Sequence, residues 1–570
     1  MGTLTAPVLP ARAVLLLAAV LPFEAPLFAP VSGQTITSLE AMLVVVVALS
    51  FAAIVQARQP VVWRTPLTLP IAACVAAAVL AAMLSPVDRG NALRFAGRMI
   101  AAGAVWWLTI NAVATKLQAR AIVRTLLAIG AVVSVVAVLE AAQFRPVLDA
   151  LRVFRPGFHV VGGQLRATAT MFYPTITSMY LEVVFAFGLW LLVDRSVRAT
   201  RHGNLIVFIM LAVVGAGIVA TFTRAGLIGI AAALVVVGTL DYLKTRRLDA
   251  VHVRLAALGA MVAGCVLLSR SPDVLLTRLR TEGSQDWYGA TYSAPPTLRF
   301  KTGEEHLVPV TLENTGRVVW DSSSEPMFAM AYHWLRADNG SVVQFDGWRT
   351  PFPTPVAPNT RVTLPVAVKA PGEPGAYILV WDVVHEHRTW LSTEGVTPGR
   401  SLVQVEGART ATTAASSMRH LPAANQRVDR RTLWGAALRI AGAHPITGIG
   451  PDNFRQVYGR YIGRATWDTR VHANNMYLEV LAGAGVIGFA ALLWLVGASG
   501  LLVWRLWAAV SPSAAAATAM LVAVWLVIAG HGIVDSFLSF TTTYVMFALA
   551  AGLACSPAFS RWTTPDADRV

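Results

Sequence analysis

The sequence is poor in charged residues, which make up only 14% of its 570 positions, whereas 55% are hydrophobic. An average soluble domain carries about 25% charged residues. The composition therefore excludes a soluble globular protein as a description of the whole chain. Repeated apolar runs of about 18 residues or more indicate membrane spans instead.

Cysteine is scarce as well, with three residues in the chain. Cys74, Cys265 and Cys555 all lie in apolar runs, and their spacing fits neither a zinc site nor a disulfide framework. The one D-x-D pattern, at Asp566 and Asp568, falls in the predicted cytoplasmic tail. Because no acidic pair that could bind a metal for sugar nucleotides lies outside, we expect neither a metal nor a cofactor.

The apolar runs predict an α-helical polytopic membrane protein with about twelve transmembrane helices. Every short loop assigned to the cytoplasm is basic, as the positive-inside rule requires, and an even number of spans places both termini inside. The formal net charge of +15 is explained in this way, without nucleic acid as a partner. The predicted spans are 11–31, 37–56, 66–84, 95–114, 121–143, 171–193, 203–221, 225–241, 251–269, 475–504, 514–531 and 535–556.

A segment of about 200 residues separates the ninth and tenth predicted spans. Across 286–407, proline becomes more frequent and alternating strand patterns replace alanine-rich helical ones. We expect an autonomously folding β-sandwich inserted in a large periplasmic loop. The domains are then membrane helices 1–9 at 1–270, the insert at 286–407, a periplasmic helical loop at 408–474, and membrane helices 10–12 with a cytoplasmic tail at 475–570. The insert contains tryptophans that we expect in its core rather than on a sugar-binding surface: Trp320, Trp334, Trp348, Trp381 and Trp390.

Val471–Gly488 stands where a polar segment meets an apolar run. On a helix, His472, Asn475 and Glu479 would share one face. A polar stripe that enters a bilayer is costly unless it lines a cavity, so this face predicts a site at the membrane surface. The alternative is that Asn475 or its neighbour caps the helix.

The same stretch contains G-x-G-x-x-G at Gly483, Gly485 and Gly488. A dinucleotide site needs this pattern between a strand and a helix, with an acidic residue about twenty positions later. Here a helical pattern precedes it and no such acid follows. We interpret the glycines as small residues that let helices pack closely in lipid.

Arginines on the translocated side oppose the topology signal. Arg224 lies in TFTRAG, between two apolar runs, where it is expected to meet an anion or a carboxylate. Under the predicted topology it reaches the same membrane face as His472. Arginines suit a diphosphate, a histidine suits proton removal from a hydroxyl, and an apolar surround suits a lipid tail. The same face receives Arg94, Arg98, Arg166 and Asn475. His531 and Asp535, at another outer edge, could be functional or could only position helices.

These motifs resemble the O-antigen ligase and polymerase superfamily of bacterial integral membrane glycosyltransferases. The resemblance rests on LRATATMFYP at 165–174, TRAG at 223–226, HPITGIGPDNF at 444–454, VHANNMYLEVLAGAGVIG at 471–488 and HGIVDSFL at 531–538. It implies a metal-independent, inverting, multi-pass enzyme of the bacterial inner membrane, with a periplasmic cavity that takes glycan from undecaprenyl diphosphate.

By position, the resemblance implies that His472 is the catalytic histidine and that Arg224 and Arg166 grip the diphosphate. Arg94, Arg98 and Asn475 are further candidates for substrate binding. The insert, which resembles an immunoglobulin-like module, departs from the simplest family pattern. The acceptor stays open, since a lipid, another lipid-linked glycan or a protein hydroxyl would each fit, as ligase, polymerase or protein glycosyltransferase.

Two alternatives come from other functional classes. A polyprenyl-glycan transporter would be expected to show related halves or broken spans at matching positions, and the polar residues here cluster at one face instead. A surface-binding protein that acts through its insert would leave the histidine and arginine pattern unexplained.

Overall fold

The structure is a computed structural model that describes residues 8–31, 34–56, 61–151, 153–154, 159–161, 164–194, 201–268, 287–323, 327–386, 389–407, 428–464, 467–509 and 515–560. The first part of the predicted periplasmic loop, 408–427, and the predicted tail with its D-x-D pattern lie outside these residues.

The described chain is mainly helical, because apolar segments satisfy their backbone hydrogen bonds within lipid when they are helices. The helices are α1 (Val8–Val20), α2 (Ser38–Gln56), α3 (Thr68–Met83), α4 (Arg89–Ala112), α5 (Lys116–Ala141), α6 (Arg145–Leu151), α7 (Pro174–Val193), α8 (Arg201–Ala220), α9 (Arg224–Thr245), α10 (Ala250–Leu268), α11 (Arg430–Ala443), α12 (Phe454–Tyr461), α13 (Met476–Ala509), α14 (Ala515–His531), α15 (Thr541–Cys555) and α16 (Pro557–Ser560). Two short hairpins join β1 (Pro26–Val31) to β2 (Gln34–Thr37) and β3 (His159–Val161) to β4 (Gln164–Arg166).

Seven of the described helices are long and apolar enough to cross a membrane: α2, α5, α7, α8, α9, α10 and α13. Shorter apolar helices are α1, α3, α14 and α15. The predicted count of twelve spans is therefore not confirmed. One reason is that apolar sequence continues past the helix ends. The first predicted span, 11–31, is an example: the helix ends at Val20, and the rest of the span continues into β1.

The helices form one bundle around α7, which is buried along almost its whole length. α14 packs against α7 and α9, α13 packs against α3, and α15 packs against α4. Helices that lie far apart in the sequence are thus neighbours in the bundle.

The insert is a β-rich region, as predicted. The strands are β5 (Ala290–Ser293), β6 (Thr297–Lys301), β7 (Glu305–Asn314), β8 (Phe328–Arg336), β9 (Val342–Gln344), β10 (Thr350–Pro351), β11 (Arg361–Lys369), β12 (Gly375–His385), β13 (Thr389–Trp390) and β14 (Gly399–Glu406). One sheet has the order β10-β8-β12-β14-β6, with β9 beside β8 and β13 beside β12, and the second has the order β11-β7-β5. The pairs are antiparallel except β14 with β6.

Both sheets contribute side chains to one apolar core between them. Trp320, Trp334 and Trp381 are fully buried there, as predicted. Trp348 is an exception, because 39% of it is exposed, and Trp390 packs on a small separate cluster. The tryptophans therefore serve mainly to fill the insert's core.

Candidate active site

His472 lies in the loop before α13 rather than on the helix itself, so the predicted shared helix face is wrong. The helix begins at Met476, after Asn474 has turned the chain with a φ of 50°. Asn475 then caps the helix, since its Oδ1 accepts hydrogen bonds from the backbone N–H groups two and three residues later, both at 3.0 Å. This is the capping alternative, and a contact between Asn475 and substrate stays a prediction.

Two carboxylates converge on His472. Oε1 of Glu479 lies 3.5 Å from Nδ1 of the histidine, and Oδ1 of Asp452 lies 3.7 Å from the same atom. The other oxygen of Glu479 accepts a hydrogen bond from the N–H of Ala473 at 2.7 Å. Glu479, in the first turn of α13, thus contacts the loop before the helix, and this contact brings it next to His472. Both carboxylates are buried, and the histidine side chain is 17% exposed.

The surroundings make His472 more basic. Burial lowers its pKa, but the neighbouring carboxylates of Glu479 and Asp452 raise it by more, so the pKa lies above its ordinary value. A carboxylate next to Nδ1 favours the tautomer that carries its proton there, which leaves Nε2 as the proton acceptor. The arrangement can therefore orient a general base.

The same three side chains resemble a metal-ligand set, because their ligand atoms lie within 4.8 Å of one another. Two contacts argue against that use. Nη2 of Arg455 lies 3.1 Å from the second oxygen of Asp452, and the second oxygen of Glu479 already accepts from Ala473. A guanidinium beside the set repels a divalent cation. We therefore assign the carboxylates to orienting the histidine.

A break in α13 holds Asp452 in place. Gly485 leaves the helical conformation, with φ 62° and ψ −163°, which frees nearby backbone groups. The connection between α11 and α12 fills the gap: the N–H of Ile449 donates to the carbonyl of Ala482 at 3.0 Å, and the N–H of Val486 donates to that of Pro445 at 2.8 Å. The glycine-rich motif thus lets a loop dock against the helix backbone, which corrects its interpretation as helix packing in lipid.

The turn that contains Asp452 is also tied to the connection between α3 and α4. Nδ2 of Asn453 donates to Oγ of Ser85 at 3.0 Å and to the carbonyl of Asp88 at 2.9 Å. Nδ2 of Asn91 donates to the carbonyl of Asp452 at 3.0 Å. Asn453 makes no side-chain capping bond to α12, because its amide is used in this network. The carboxylate that faces His472 is thereby fixed from two sides.

Arg98 contacts the connection between α14 and α15, which also passes close to His472. Its Nη1 donates to the carbonyl of Ser539 at 3.4 Å, and the ring of the next residue, Phe540, lies 6.0 Å from the ring of His472. Its Nε lies 3.8 Å from Oε1 of Glu40. Arg98 is therefore linked to His472 through Ser539 and Phe540, and a role in substrate binding stays a prediction.

Arg94 lies one turn earlier in α4 and is exposed. Its Nε donates to the carbonyl of Gly90 at 3.4 Å, within its own helix. The structure therefore places Arg94 on the outside of α4, and a role in substrate binding stays a prediction.

The side chain of Arg166 contacts the turn between α8 and α9, and Arg224 directly follows that turn. Arg166 ends β4, and its Nε donates to the carbonyl of Thr221 at 3.1 Å, while Nη2 lies 3.4 Å from Oγ1 of Thr223. Arg224 is the first residue of α9, where the helix dipole adds positive potential. Two arginines that are far apart in sequence thus meet at one turn.

A row of rings connects this turn with the histidine. The ring of Tyr173 lies 6.2 Å from that of Phe540 and 5.0 Å from that of His159. His159 in turn pairs with Arg166 across the β3–β4 hairpin. The arginine turn and His472 therefore belong to one continuous region.

Two buried carboxylates were missed by the sequence analysis. Glu140 accepts hydrogen bonds from the N–H groups of Thr168 at 3.1 Å and Ala169 at 2.7 Å, directly after Arg166. Oε1 of Glu182 lies 3.0 Å from Nδ1 of His531. The signal was present, because each is the sole acidic residue of a predicted span, and such residues in membrane helices usually have a partner.

An apolar cavity of about 50 Å³ opens beside the carboxylates of Asp452 and Glu479 and is lined further down by α3, α4 and α13. A second cavity of about 60 Å³ shares part of this lining and continues along α3, α4, α13 and α15. Residues that line both are Cys74, Met99, Leu492 and Leu538. The carboxylates beside His472 therefore border mainly apolar side chains.

Residues 401–493 match a family whose description is O-antigen ligase. The match supports the predicted resemblance to the O-antigen ligase superfamily. It covers Asp452, His472 and Glu479 together with the break at Gly485. Members of the O-antigen ligase family are membrane glycosyltransferase-like enzymes, and the family implies a lipid-linked glycan and an acceptor as partners in a membrane. No curated protein matches the chain.

Proposed function

We propose that this protein is an O-antigen ligase-like glycosyltransferase that moves a glycan from undecaprenyl diphosphate to an acceptor hydroxyl. The observation that carries the proposal is the position of His472, whose Nδ1 faces two buried carboxylates beside an apolar cavity. An oriented base beside an apolar cavity suits transfer from a lipid-linked donor to a hydroxyl.

In the proposed reaction, Nε2 of His472 removes the proton from the acceptor hydroxyl. The oxygen attacks the anomeric carbon from the side opposite the diphosphate, so the configuration inverts. The bond between that carbon and the diphosphate oxygen breaks, and lipid diphosphate leaves with one more negative charge. Arg166 and Arg224 stabilise this charge, and Arg98 is a further candidate for binding the substrate.

The positive charge of these arginines takes the place that a metal has in many glycosyl transfers, and we therefore propose a metal-independent reaction. The site faces the periplasm of the inner membrane, because the basic loops of the predicted topology lie on the other side.

The test of this function uses purified protein in lipid vesicles, undecaprenyl-diphosphate glycan and candidate acceptors, with a chelator present. We expect a new glycosidic bond in the presence of chelator, and the acceptor that is used distinguishes ligase, polymerase and protein glycosyltransferase. Glycan that crosses the vesicle membrane without any new bond would instead identify a transporter. Product that disappears with the chelator and returns with a divalent cation would show that the acidic cluster binds a metal.

Arg224→Lys should weaken use of the donor by about tenfold or more, since a single ammonium cannot replace the paired hydrogen bonds of a guanidinium to a diphosphate. The measurement is kcat/KM for the lipid-linked donor at a fixed acceptor concentration. Arg505→Lys, at an exposed position near the far end of α13, is the matched control and should transfer normally. Equal activity in the two variants would remove Arg224 from the diphosphate site.

A further inference from the structure

The β insert and the membrane helices share one continuous apolar cluster. Phe222, in the turn between α8 and α9, is 7% exposed and belongs to the same cluster as Trp287 and Tyr288 of the insert. Leu227 of α9 and Val266 of α10 pack against this cluster as well. The insert therefore rests on the membrane helices at the turn that leads into α9.

Phe222 holds an unusual backbone conformation, with a φ of 51°. A bulky residue with a positive φ is an outlier, because its Cβ collides with the backbone there. Such a conformation persists where the surroundings fix it. The burial of the Phe222 ring in a cluster made largely of residues of the insert supplies that restraint.

The same turn positions both arginines of the proposed diphosphate site. The residue before Phe222, Thr221, accepts a hydrogen bond from Nε of Arg166, and the residue after it, Thr223, contacts Nη2 of the same side chain. Arg224 follows as the first residue of α9. A change of φ at Phe222 would rotate the peptide groups on its two sides and displace these partners.

We infer that the insert is a positioning part of the diphosphate site: its docking on Phe222 sets the turn that holds Arg166 and Arg224. The inference rests on the proposed function in naming the diphosphate as ligand. It leaves the expectation of an autonomously folding insert in place and adds that removal of the insert should impair donor binding and not only acceptor use.

The experiment measures binding of undecaprenyl diphosphate to the full-length protein in nanodiscs, together with hydrogen exchange of the backbone between 219 and 227. Phe222→Ala removes the ring but keeps a Cβ that disfavours positive φ. We expect faster exchange in the turn and binding that is weaker by about tenfold, the equivalent of about 1.4 kcal/mol. Ile228→Ala is the matched control, since Ile228 lies on α9 and is 66% exposed, and it should behave as wild type.

Phe222→Gly separates the backbone from the ring. Glycine adopts a positive φ readily, so this variant should bind undecaprenyl diphosphate more tightly than Phe222→Ala although both lack the ring. Replacement of 287–407 by a short linker should weaken binding in the wild-type background and weaken it less when combined with Phe222→Gly.

Three outcomes would overturn the inference. In the first, Phe222→Ala shows faster exchange in the turn but binds as tightly as wild type. In the second, Phe222→Gly binds undecaprenyl diphosphate no better than Phe222→Ala, which would mean that docking of the insert on Phe222 does not act through the backbone of the turn. In the third, wild-type protein binds no undecaprenyl diphosphate, which would refute the proposed function and, with it, the site to be positioned.

Discussion

His472→Ala should abolish glycan transfer while the protein still inserts into the membrane and still binds the lipid-linked donor. A general base contributes about 10²–10⁴-fold to a rate, so the residual activity should lie near the detection limit. The donor should remain bound, because in the proposed site its diphosphate is held by arginines and not by the histidine. The measurement is product formation under single-turnover conditions, with donor binding measured separately.

The role of the carboxylates gives this prediction a second readout. Glu479→Gln keeps the size of the side chain but removes the charge that raises the pKa of His472. A base works when it is unprotonated, so the acidic limb of the pH–rate profile should move to lower pH in this variant. The maximal rate should also fall, because a less basic histidine accepts the proton less readily.

His306→Ala is the control, since this histidine lies on β7 of the insert and pairs with Glu304. It should leave both the rate and the pH profile unchanged. Transfer by His472→Ala at more than about a tenth of the wild-type rate, well above the loss expected for a general base, would assign proton removal to another group.

The features that were predictable from the sequence are those with a local signal. The segments 306–314, 327–336, 361–370 and 376–384 are rich in β-branched and aromatic residues, and the structure has β7, β8, β11 and β12 there. The amphipathic pattern at 430–440 became α11. By contrast, the shortest strands, such as β10 and β13, carry too few residues for any period to be visible.

Within the site, residue chemistry was easier to predict than placement. His472 and Glu479 were singled out together, but for a shared helix face that does not form. They meet because the carboxylate of Glu479 accepts a hydrogen bond from the N–H of Ala473 in the loop before α13. This contact depends on where the helix starts. Asp452 lies in the segment 444–454 that carried the resemblance, but its approach to His472 was not predictable, because it depends on a loop that docks on a helix break further along the chain.

The glycine motif shows most clearly why sequence alone was insufficient. G-x-G-x-x-G is compatible with a nucleotide turn, with helix packing in lipid and with a broken helix, and composition does not separate them. What decides is the backbone of 445–450, which lies against 482–486 and donates and accepts hydrogen bonds there. That contact is not encoded in the local pattern of either segment.

Gly485→Ala should therefore destabilise the protein strongly, although alanine normally stabilises a helix relative to glycine by about 1 kcal/mol. The backbone at Gly485 has φ 62° and ψ −163°, a region that is essentially restricted to glycine. A Cβ added there would lie 2.3 Å from the carbonyl oxygen of Ile446. Backbone strain of about 1–3 kcal/mol and overpacking of about 1–3 kcal/mol both oppose the substitution.

The measurement is the thermal unfolding temperature of the purified protein, together with its transfer activity, because the displaced loop carries Asp452. Gly497→Ala is the matched control in the same helix, where an added Cβ meets no atom within 4 Å; it should be neutral or stabilising by about 0.5–1 kcal/mol. The two substitutions differ only in position along α13, so opposite signs are expected from the same chemical change. If Gly485→Ala were as stable and as active as Gly497→Ala, the break in α13 would not hold the site together, and Asp452 would need another reason to face His472.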